Sequence, residues 1–462
     1  MSDQPHSGPG VGIIFASGML GAGFSAESVK RGIAMGADAI AVDGGSTDSG
    51  PYYLGAGTAK TDASAVEQDL RILLAAAREN RIPLIVGSCG TAGTDDGVDW
   101  VADIATRIAA EDRLSFRMAR IYSELDAGTV IAAIGQGRVR SLSPSGPLTP
   151  GTVRSCAHIV ALMGHAPIVA ALEAGAEVVL AGRATDTSMV AAVALMHGLP
   201  GGPAWHAAKT VECGGQCTTN PTAGGVHVRI DSTGFTVTPL SPDAACTPTS
   251  VAAHMLYENA DPFRLLEPTG TLDTSAAAYT AIDERTVRVE GSRFELSPQP
   301  TAKLEGARLA GYETISIVGI RDPHILARLG TWLRYLRSVL EERVRATLDL
   351  DPQHYDLALQ CYGDNAVLGP LENAAGPARE IGLLFKVRAP SQETATAIAM
   401  TANPLLLHLP LPGMDHLPSF AFATSPAEIE RGPSYEFVLN HVLDLNQGTG
   451  PFRLDLSEVA HA

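Results

Sequence analysis

Between residues 10 and 205, short apolar runs alternate with longer segments that carry apolar residues at helical spacing. The runs include "VGIIF", "ADAIAV", "IPLIVG" and "AEVVLAG", and the segments between them include "ASAVEQDLRILLAAARENR" and "DDGVDWVADIATRIAAEDR". Continuous apolar strands that alternate with amphipathic helices are typical of a mostly parallel sheet with helices on both faces. We therefore predict a parallel α/β domain over residues 10–205. The pattern leaves open whether the sheet is doubly wound or closes into an irregular barrel.

The pattern changes after residue 205. Residues 206–310 form a strand-rich segment, in which "GGVHVRIDSTGFTVTPL" and "ERTVRVEGSRFEL" are each predicted to be a strand pair, and "TPTS" a loop. In residues 311–462 the predicted order is strand, helix, strand, strand, helix, strand. That order is the one found in ferredoxin-like α+β units, so we predict a ferredoxin-like C-terminal domain there.

The charge balance limits the kinds of partner. The chain has 33 Lys and Arg against 50 Asp and Glu, a net charge of −17, which argues against a nucleic-acid or anionic-membrane surface because both need a basic face. The polar segment 1–10 does not look like a secretion signal, and no apolar run reaches about 18 residues. Six scattered cysteines suggest reduced thiols and a cytoplasmic location. We expect a small-molecule substrate and a homo-oligomer.

Small polar and acidic residues follow the predicted strands. In parallel α/β sheets, ligands bind at the carboxyl ends of the strands. We therefore expect the groups that follow the strands to line one pocket. The candidate catalytic residues are Asp43, Asp48, Cys89, Glu124 and Asp186.

The candidate substrate-binding residues lie in the same turns or in later glycine-rich segments. In "DGGSTDSGPYYLG", glycines allow close backbone approach and short hydroxyls supply hydrogen bonds, so we expect this turn to contact a ligand. In "GRATDTS", an arginine could clamp a carboxylate. The set is Gly21, Gly23, Ser25, Gly44, Gly45, Ser46, Thr47, Arg183, Glu212 and Gln216.

Several of these residues have an alternative structural role. Gly21, Gly23 and Ser25 fit either an anion site with free N–H groups or a tight turn with a helix cap. Cys89 fits either a nucleophile or a small buried residue.

The sequence offers two candidate metal sites. The carboxylates Asp43, Asp48, Glu124, Asp186 and Glu212 could hold a divalent cation such as Mg²⁺, or they could cap turns. Cys213 and Cys217 have the spacing of a zinc-ligand pair, but no second pair lies nearby in the sequence. The sequence therefore leaves the cofactor unknown.

Five segments together resemble the acyclic terpene utilisation A (AtuA-like) family: "GAGFS", "DGGSTDSGPYYLG", "GRATDTS", "VECGGQC" and "KLEGARLAGYETISIVGIRDP". The resemblance runs from about residue 10 to about residue 450. Members nearest the namesake carry Glu-Cys and Glu-Arg in the turn occupied here by residues 43–50, and Thr-Gly-Gly in place of Cys217, Thr218 and Thr219. A terpene substrate therefore does not carry over. The resemblance implies catabolic work on branched or carboxylated acyl compounds, and it fixes no catalytic residue.

Two functions are compatible with these observations. The first is a lyase or hydratase that acts on a small branched or carboxylated acyl compound, either as the free acid or as the acyl-CoA. The second is a non-catalytic binding or assembly subunit of an acyl-CoA-processing complex, working with a second small subunit. Turnover by the purified chain alone separates the two.

Overall fold

A computed structural model describes residues 10–16, 18–222, 224–373, 376, 378–445 and 450–460 of the chain. The polar N-terminal segment discussed above therefore lies almost wholly outside the described residues. The chain divides into two compact units, one made of residues 1–308 and 437–462 and the other of residues 309–436. The domain boundaries predicted at residues 205 and 310 stay predictions.

The strands and helices are numbered in chain order. The strands are β1 (Val11–Phe15), β2 (Ala39–Asp43), β3 (Leu84–Gly87), β4 (Phe116–Tyr122), β5 (Val139–Ser141), β6 (His158–Ala161), β7 (Val178–Ala181), β8 (Val226–Ile230), β9 (Gly234–Pro239), β10 (Arg264–Glu267), β11 (Gly270–Asp273), β12 (Ala278–Ala281), β13 (Val287–Glu290), β14 (Arg293–Leu296), β15 (Thr301–Ile320), β16 (Asp356–Tyr362), β17 (Ile381–Ala389), β18 (Ala421–Phe422), β19 (Ile429–Asp444) and β20 (Arg453–Val459). The helices are α1 (Ala26–Ala34), α2 (Tyr52–Ala56), α3 (Ala63–Asn80), α4 (Asp95–Asp112), α5 (Ala127–Gly135), α6 (Pro150–Ser155), α7 (His165–Glu173), α8 (Ser188–Met196), α9 (Gly201–Val211), α10 (Pro248–His254), α11 (Pro323–Leu326), α12 (Leu329–Leu348) and α13 (Gln392–His408). Three short 3-10 helices cover Gly214–Cys217, Pro352–His354 and Gly369–Leu371. None of the helices in the described ranges is long and apolar enough to cross a membrane.

The first unit contains a ten-stranded mixed sheet with the order β12-β13-β9-β8-β1-β2-β3-β7-β4-β20. The five strands from β1 to β4 in that order pair in parallel, whereas the strands on either side of them pair antiparallel. The sheet is therefore mixed rather than mostly parallel. Strands β8, β9, β12 and β13 of the strand-rich segment, and β20 near the C-terminus, belong to the same sheet as β1.

Successive side chains of the central strands point to opposite faces of this sheet, so that each face has its own hydrophobic core. In β1, Ile13 and Phe15 belong to one hydrophobic cluster and Ile14 to the other. Helices α7, α8 and α9 supply residues to the first cluster, and α1, α3 and α4 supply residues to the second. Successive strand side chains point to opposite faces, so strands that are apolar throughout need helices on both sides.

The strand-rich segment contains a second, three-stranded sheet with the order β10-β11-β14. The predicted pair in "GGVHVRIDSTGFTVTPL" is present as the hairpin of β8 and β9. The predicted pair in "ERTVRVEGSRFEL" is wrong, because β13 pairs with β12 and β9 while β14 pairs with β11. Gly291, which separates the two strands, has a φ of +92° and directs them into different sheets.

The second unit has its own core, which includes Trp332 and Phe385. Its elements follow one another as the end of β15, α11, α12, β16, β17, α13, β18 and the start of β19. Strands β15 and β17 pair antiparallel from Tyr312 to Ile320, and β16 pairs antiparallel with β17. The indole N–H of Trp332 donates to the carbonyl of Leu409 at 2.9 Å, so the largest side chain of this core has its one polar group satisfied.

Candidate functional site

The turn after β2 is built by glycines that let it pass against the turn after β3. A Cβ atom at Gly44 would lie 2.6 Å from the carbonyl oxygen of Gly87, and one at Gly45 would lie 2.5 Å from Cα of Thr91. Gly45 also has a φ of +145°. A residue with a side chain would not fit at either position. The close contact between the two turns sets the position of Asp43 at the end of β2.

A cavity of about 510 Å³ lies where β1, β2 and β7 end. Its wall brings together residues of five segments that are far apart in the sequence, including the predicted site residues Gly23, Asp43, Gly45, Ser46, Asp48, Asp186, Glu212 and Gln216. Cys213, Tyr257 and Glu258 also line it. Five of its lining side chains are carboxylates, and none of the described lining residues is Lys or Arg.

Asp43 is buried, with 5% of its surface exposed, and its Oδ1 has no hydrogen-bond partner among the described residues. Burial raises its pKa well above the usual range, the charge of Asp186 raises it further, and Arg183 opposes both. Burial also raises the pKa of Asp186, against the charges of Arg183 and Lys209. Two carboxyl groups with raised proton affinity thus face one cavity.

Arg183 is buried behind the turn and does not line the cavity. Its Nε donates to Oε2 of Glu305 at 3.1 Å, Nη1 to Oγ of Ser88 at 3.2 Å and Nη2 to Oγ1 of Thr47 at 3.3 Å. Thr47 in turn donates to Glu305 at 3.0 Å. The guanidinium that was predicted to clamp a substrate carboxylate is therefore held by the protein's own groups, and it ties the turn to β15.

Glu212 and Lys209 form a buried ion pair at the end of α9. Burial raises the pKa of Glu212 to about 8, although Lys209 lowers it. Burial lowers the pKa of Lys209, but the charge of Glu212, its hydrogen bond to Lys209 and further acidic groups such as Glu267 together outweigh that effect, and the net pKa is raised. Cys213 follows directly, and burial together with the charge of Glu212 raises the pKa of its thiol.

The predicted anion site at "GAGFS" is already filled by a side chain of the protein. The N–H groups of Gly21 and Gly23 both donate to Oδ2 of Asp69, at 2.8 and 3.0 Å. Ser25 occupies the N-cap position of α1, but its side chain makes no capping hydrogen bond. These N–H groups are therefore engaged, and the segment acts as a tight turn, which was the structural alternative for it.

Cys89 and Glu124 do not reach the cavity. Cys89 is fully buried with its Sγ 3.7 Å from the carbonyl of Val86, and burial raises the pKa of the thiol. Glu124 lines a different cavity, of about 770 Å³, and its Oε1 lies 2.6 Å from Nδ1 of His158. The expected single pocket thus loses two of its five candidate catalytic residues. The Mg²⁺ site that would have used Glu124 together with the other carboxylates is not assembled among the described residues.

Sequence patterns missed several residues that shape the site. Lys209 in α9 pairs with Glu212, and Glu305 in β15 pairs with Arg183. Neither pairing was predicted from the sequence. Tyr257 and Glu258 follow α10 and line the cavity. Glu258 has a φ of +57°, which is uncommon for a residue other than glycine. A carboxylate close to a lysine, as in "AAKTVECGG", was the one local signal available.

The sheet and the cavity together define a mixed α/β protein with a carboxylate-rich pocket at its strand ends. The sequence model of the family described as "Acyclic terpene utilisation family protein AtuA" matches residues 57–429, and the chain belongs to that family. The family resemblance inferred from the sequence is thereby confirmed. The matched range begins after the turn that holds Asp43 and Asp48. No curated protein and no solved structure matches the chain.

Proposed function

We propose that the protein is a lyase or hydratase that acts on a small branched or carboxylated acyl compound. The observation that carries the proposal is the pair formed by Asp43 and Asp186, two carboxyl groups with raised pKa values that line one cavity. Removal of a proton next to a carbonyl with loss of water or an amine needs one base and one acid. Two carboxyl groups in unequal surroundings supply both.

The environments assign the two roles. Asp43 is the more deeply buried of the two and acts as the acid, whereas Asp186 is the half-buried base. In elimination, ionised Asp186 takes the proton from the carbon next to the carbonyl, and protonated Asp43 gives its proton to the leaving oxygen or nitrogen. A carbon–carbon double bond forms, water or the amine departs, and the two carboxyl groups exchange protonation states. Hydration runs the same steps in reverse.

The charge of the cavity favours one form of the substrate. Five carboxyl groups and no described Lys or Arg line it, so even with Asp43 protonated a free carboxylate entering it would meet like charge. An acyl thioester presents a neutral carbonyl at the reacting end. We therefore favour the acyl-CoA over the free acid as the substrate form.

Turnover by the purified chain tests this function. Branched hydroxyacyl-CoAs, enoyl-CoAs and the matching free acids are incubated with the chain, with Mg²⁺ or Zn²⁺ added in parallel, and products are identified by mass spectrometry. We expect turnover of at least one thioester. We expect Asp43→Asn and Asp186→Asn to lower kcat by about 100-fold or more, because each removes one proton-transfer group.

Asp103→Asn is the matched control. Asp103 is an exposed aspartate of α4 and does not line the cavity, so this variant should keep full activity. All three variants should retain the Tm of the wild type within a few degrees. Full activity in both cavity variants contradicts the assignment of the pair. Wild-type turnover that appears only after a second small subunit is added favours the non-catalytic alternative.

We also propose that the second unit is a ferredoxin-like domain that mediates assembly with another copy of the chain or with a small subunit. The sheet order β16-β17-β15-β19 supports this, because numbering the strands by their order in the unit gives 2-3-1-4, with helices after the first and third strands. Light scattering of the purified chain reports the oligomeric state, and a monomer would contradict the homo-oligomer. A cytoplasmic location is proposed on the absence of disulfides among the six described cysteines.

A further inference from the structure

A carboxylate, a thiol and an imidazole meet at the wall of the cavity. One ligand atom each from Glu212, Cys213 and His254 all lie within 4.8 Å of one another. Glu212 and Cys213 follow α9, whereas His254 is the last residue of α10. The Oγ of Ser250 in α10 donates to the carbonyl of Cys217 at 2.8 Å and holds the two segments together. Packing brings these residues together across 40 positions of sequence, which explains why their spacing gave no zinc motif.

The imidazole of His254 lacks a hydrogen-bond partner for one of its nitrogens. Its side chain is 5% exposed, and Nε2 has no hydrogen-bond partner among the described residues. A buried polar nitrogen without a partner is energetically unfavourable, so it calls for a ligand. His165 and His227 also have an unpartnered buried nitrogen. His254 is the described histidine whose imidazole lies beside potential Cys and Glu ligands.

We propose that Glu212, Cys213 and His254 bind a divalent transition-metal ion, with Zn²⁺ as the best match. Thiolate, imidazole and carboxylate are the ligands that Zn²⁺ prefers, whereas Mg²⁺ prefers oxygen alone. Bonds of about 2.0–2.3 Å around a tetrahedral ion place ligand atoms roughly 3.3–3.8 Å apart, so side-chain shifts of about 1.5 Å at most complete the site. Three protein ligands leave one position for water or a substrate oxygen.

The surroundings are suited to a cation. Asp48, Asp186 and Glu258 line the same cavity as Glu212 and Cys213 and give it a negative potential. The ion pair with Lys209 uses Oε1 of Glu212, and the carboxylate has a second oxygen with which to ligate. The proposal rests on these contacts and not on the lyase activity, so it can be tested without a substrate.

Cobalt substitution tests the site directly. The full chain is stripped with a chelator and titrated with Co²⁺, and the absorption spectrum is recorded. We expect saturation at about one equivalent and a thiolate-to-cobalt charge-transfer band in the near ultraviolet. Zn²⁺ should then displace Co²⁺ and abolish the band. Mg²⁺ in excess should leave it unchanged.

Matched variants locate the bound ion. Cys213→Ser should abolish the charge-transfer band, and His254→Gln should weaken Co²⁺ binding at least tenfold. Cys156→Ser and His197→Gln, which remove a thiol and an imidazole outside this group, should behave like the wild type. The absence of a band in the folded wild type overturns the proposal, as does a band that survives Cys213→Ser. Loss of the band in Cys156→Ser would place the ion elsewhere and would equally overturn it.

Discussion

Arg183 is a buried guanidinium, and the residue that matters most to it is Glu305, 122 positions away in the sequence. Arg183 and Lys303 hold the pKa of Glu305 at about 2, well below its ordinary value of 4.5, even though burial alone would raise it. The sequence identified Arg183 as a site residue but not its partner. A pairing over that distance leaves no local pattern, because the two residues meet only when β15 reaches the segment that follows β7.

Glu305→Gln should destabilise the protein by about 3–5 kcal/mol, because it leaves Arg183 buried without its main counter-charge. Urea unfolding at pH 7 measures the loss. Glu295→Gln removes an exposed partner of Arg264 and should cost about 1 kcal/mol or less. A cost for Glu305→Gln as small as that of the control would mean that Asp43 and Asp186 already neutralise Arg183.

The ion pair of Arg183 and Glu305 predicts that the stability of the folded protein depends on pH. The pKa of Glu305 is lower in the folded chain than in the unfolded chain, so its stabilisation is fully present above about pH 4.5 and is lost as the pH falls toward about 2. The stability difference between the wild type and Glu305→Gln should therefore shrink over that window. A constant difference would contradict an ionised Glu305 in the folded protein.

At the scale of elements, the central strands and the longer helices of the first 200 residues were predictable because their apolar periodicity is strong, whereas short elements such as α2, α5 and β6 were not predicted. The segment "TPTS" was predicted as a loop but begins α10, since Thr247 and Ser250 form a capping box with Pro248 at the first helical position. That signal was present in the sequence. A helix that begins at Pro248 places His254 within or close to its last turn. The contact between His254 and Cys213 depends on packing and could not be predicted.

The turn after β2 gives a prediction at this scale. Gly45→Ala combines an unfavourable φ with a clash against Thr91, whereas Gly50→Ala has a positive φ but open space around its Cβ. We expect Gly50→Ala to cost about 1–2 kcal/mol and Gly45→Ala about 1–3 kcal/mol more. Thermal unfolding of both variants measures the difference. Equal Tm values would mean that Thr91 can move aside without cost, and that the turn is less constrained than its geometry indicates.

For the whole molecule, the sequence predicted a layered α/β protein but not the order of the strands in the ten-stranded sheet. Local periodicity is the same whether a strand sits in the centre or at the edge, so it could not place β8, β9 and β20 in the sheet of β1. Residues that follow the carboxyl ends of β1, β2 and β7 line one cavity, and its role as a functional site stays a prediction. Glu124 was not separable from them by sequence, because it also follows a parallel strand of that sheet.

Strand β20 protects an edge of the ten-stranded sheet, and its removal should expose β4. Deleting residues 453–462 removes the partner of those backbone groups of β4, from Phe116 to Tyr122, that face β20, while β4 stays paired with β7. We expect a lower Tm and concentration-dependent aggregation, since unpaired edges template association. Light scattering over a range of concentrations measures this. Leu454→Ala, a change at a partly exposed side chain of the same strand, should remain unaggregated. If the deletion variant aggregates no more than that control, β4 does not need β20 to prevent edge-to-edge association.

The pairing of β4 with β20 also has a consequence for how the chain is made in the cell. The ribosome adds residues in order, so β4 emerges more than 300 residues before the strand that covers it. At about 5–20 residues per second, that edge waits roughly 15–70 s for its neighbour. During that interval the nascent chain carries an open β-edge, and polysomes hold several such chains close together. A chaperone that shields extended backbone during translation would act on this protein at that stage.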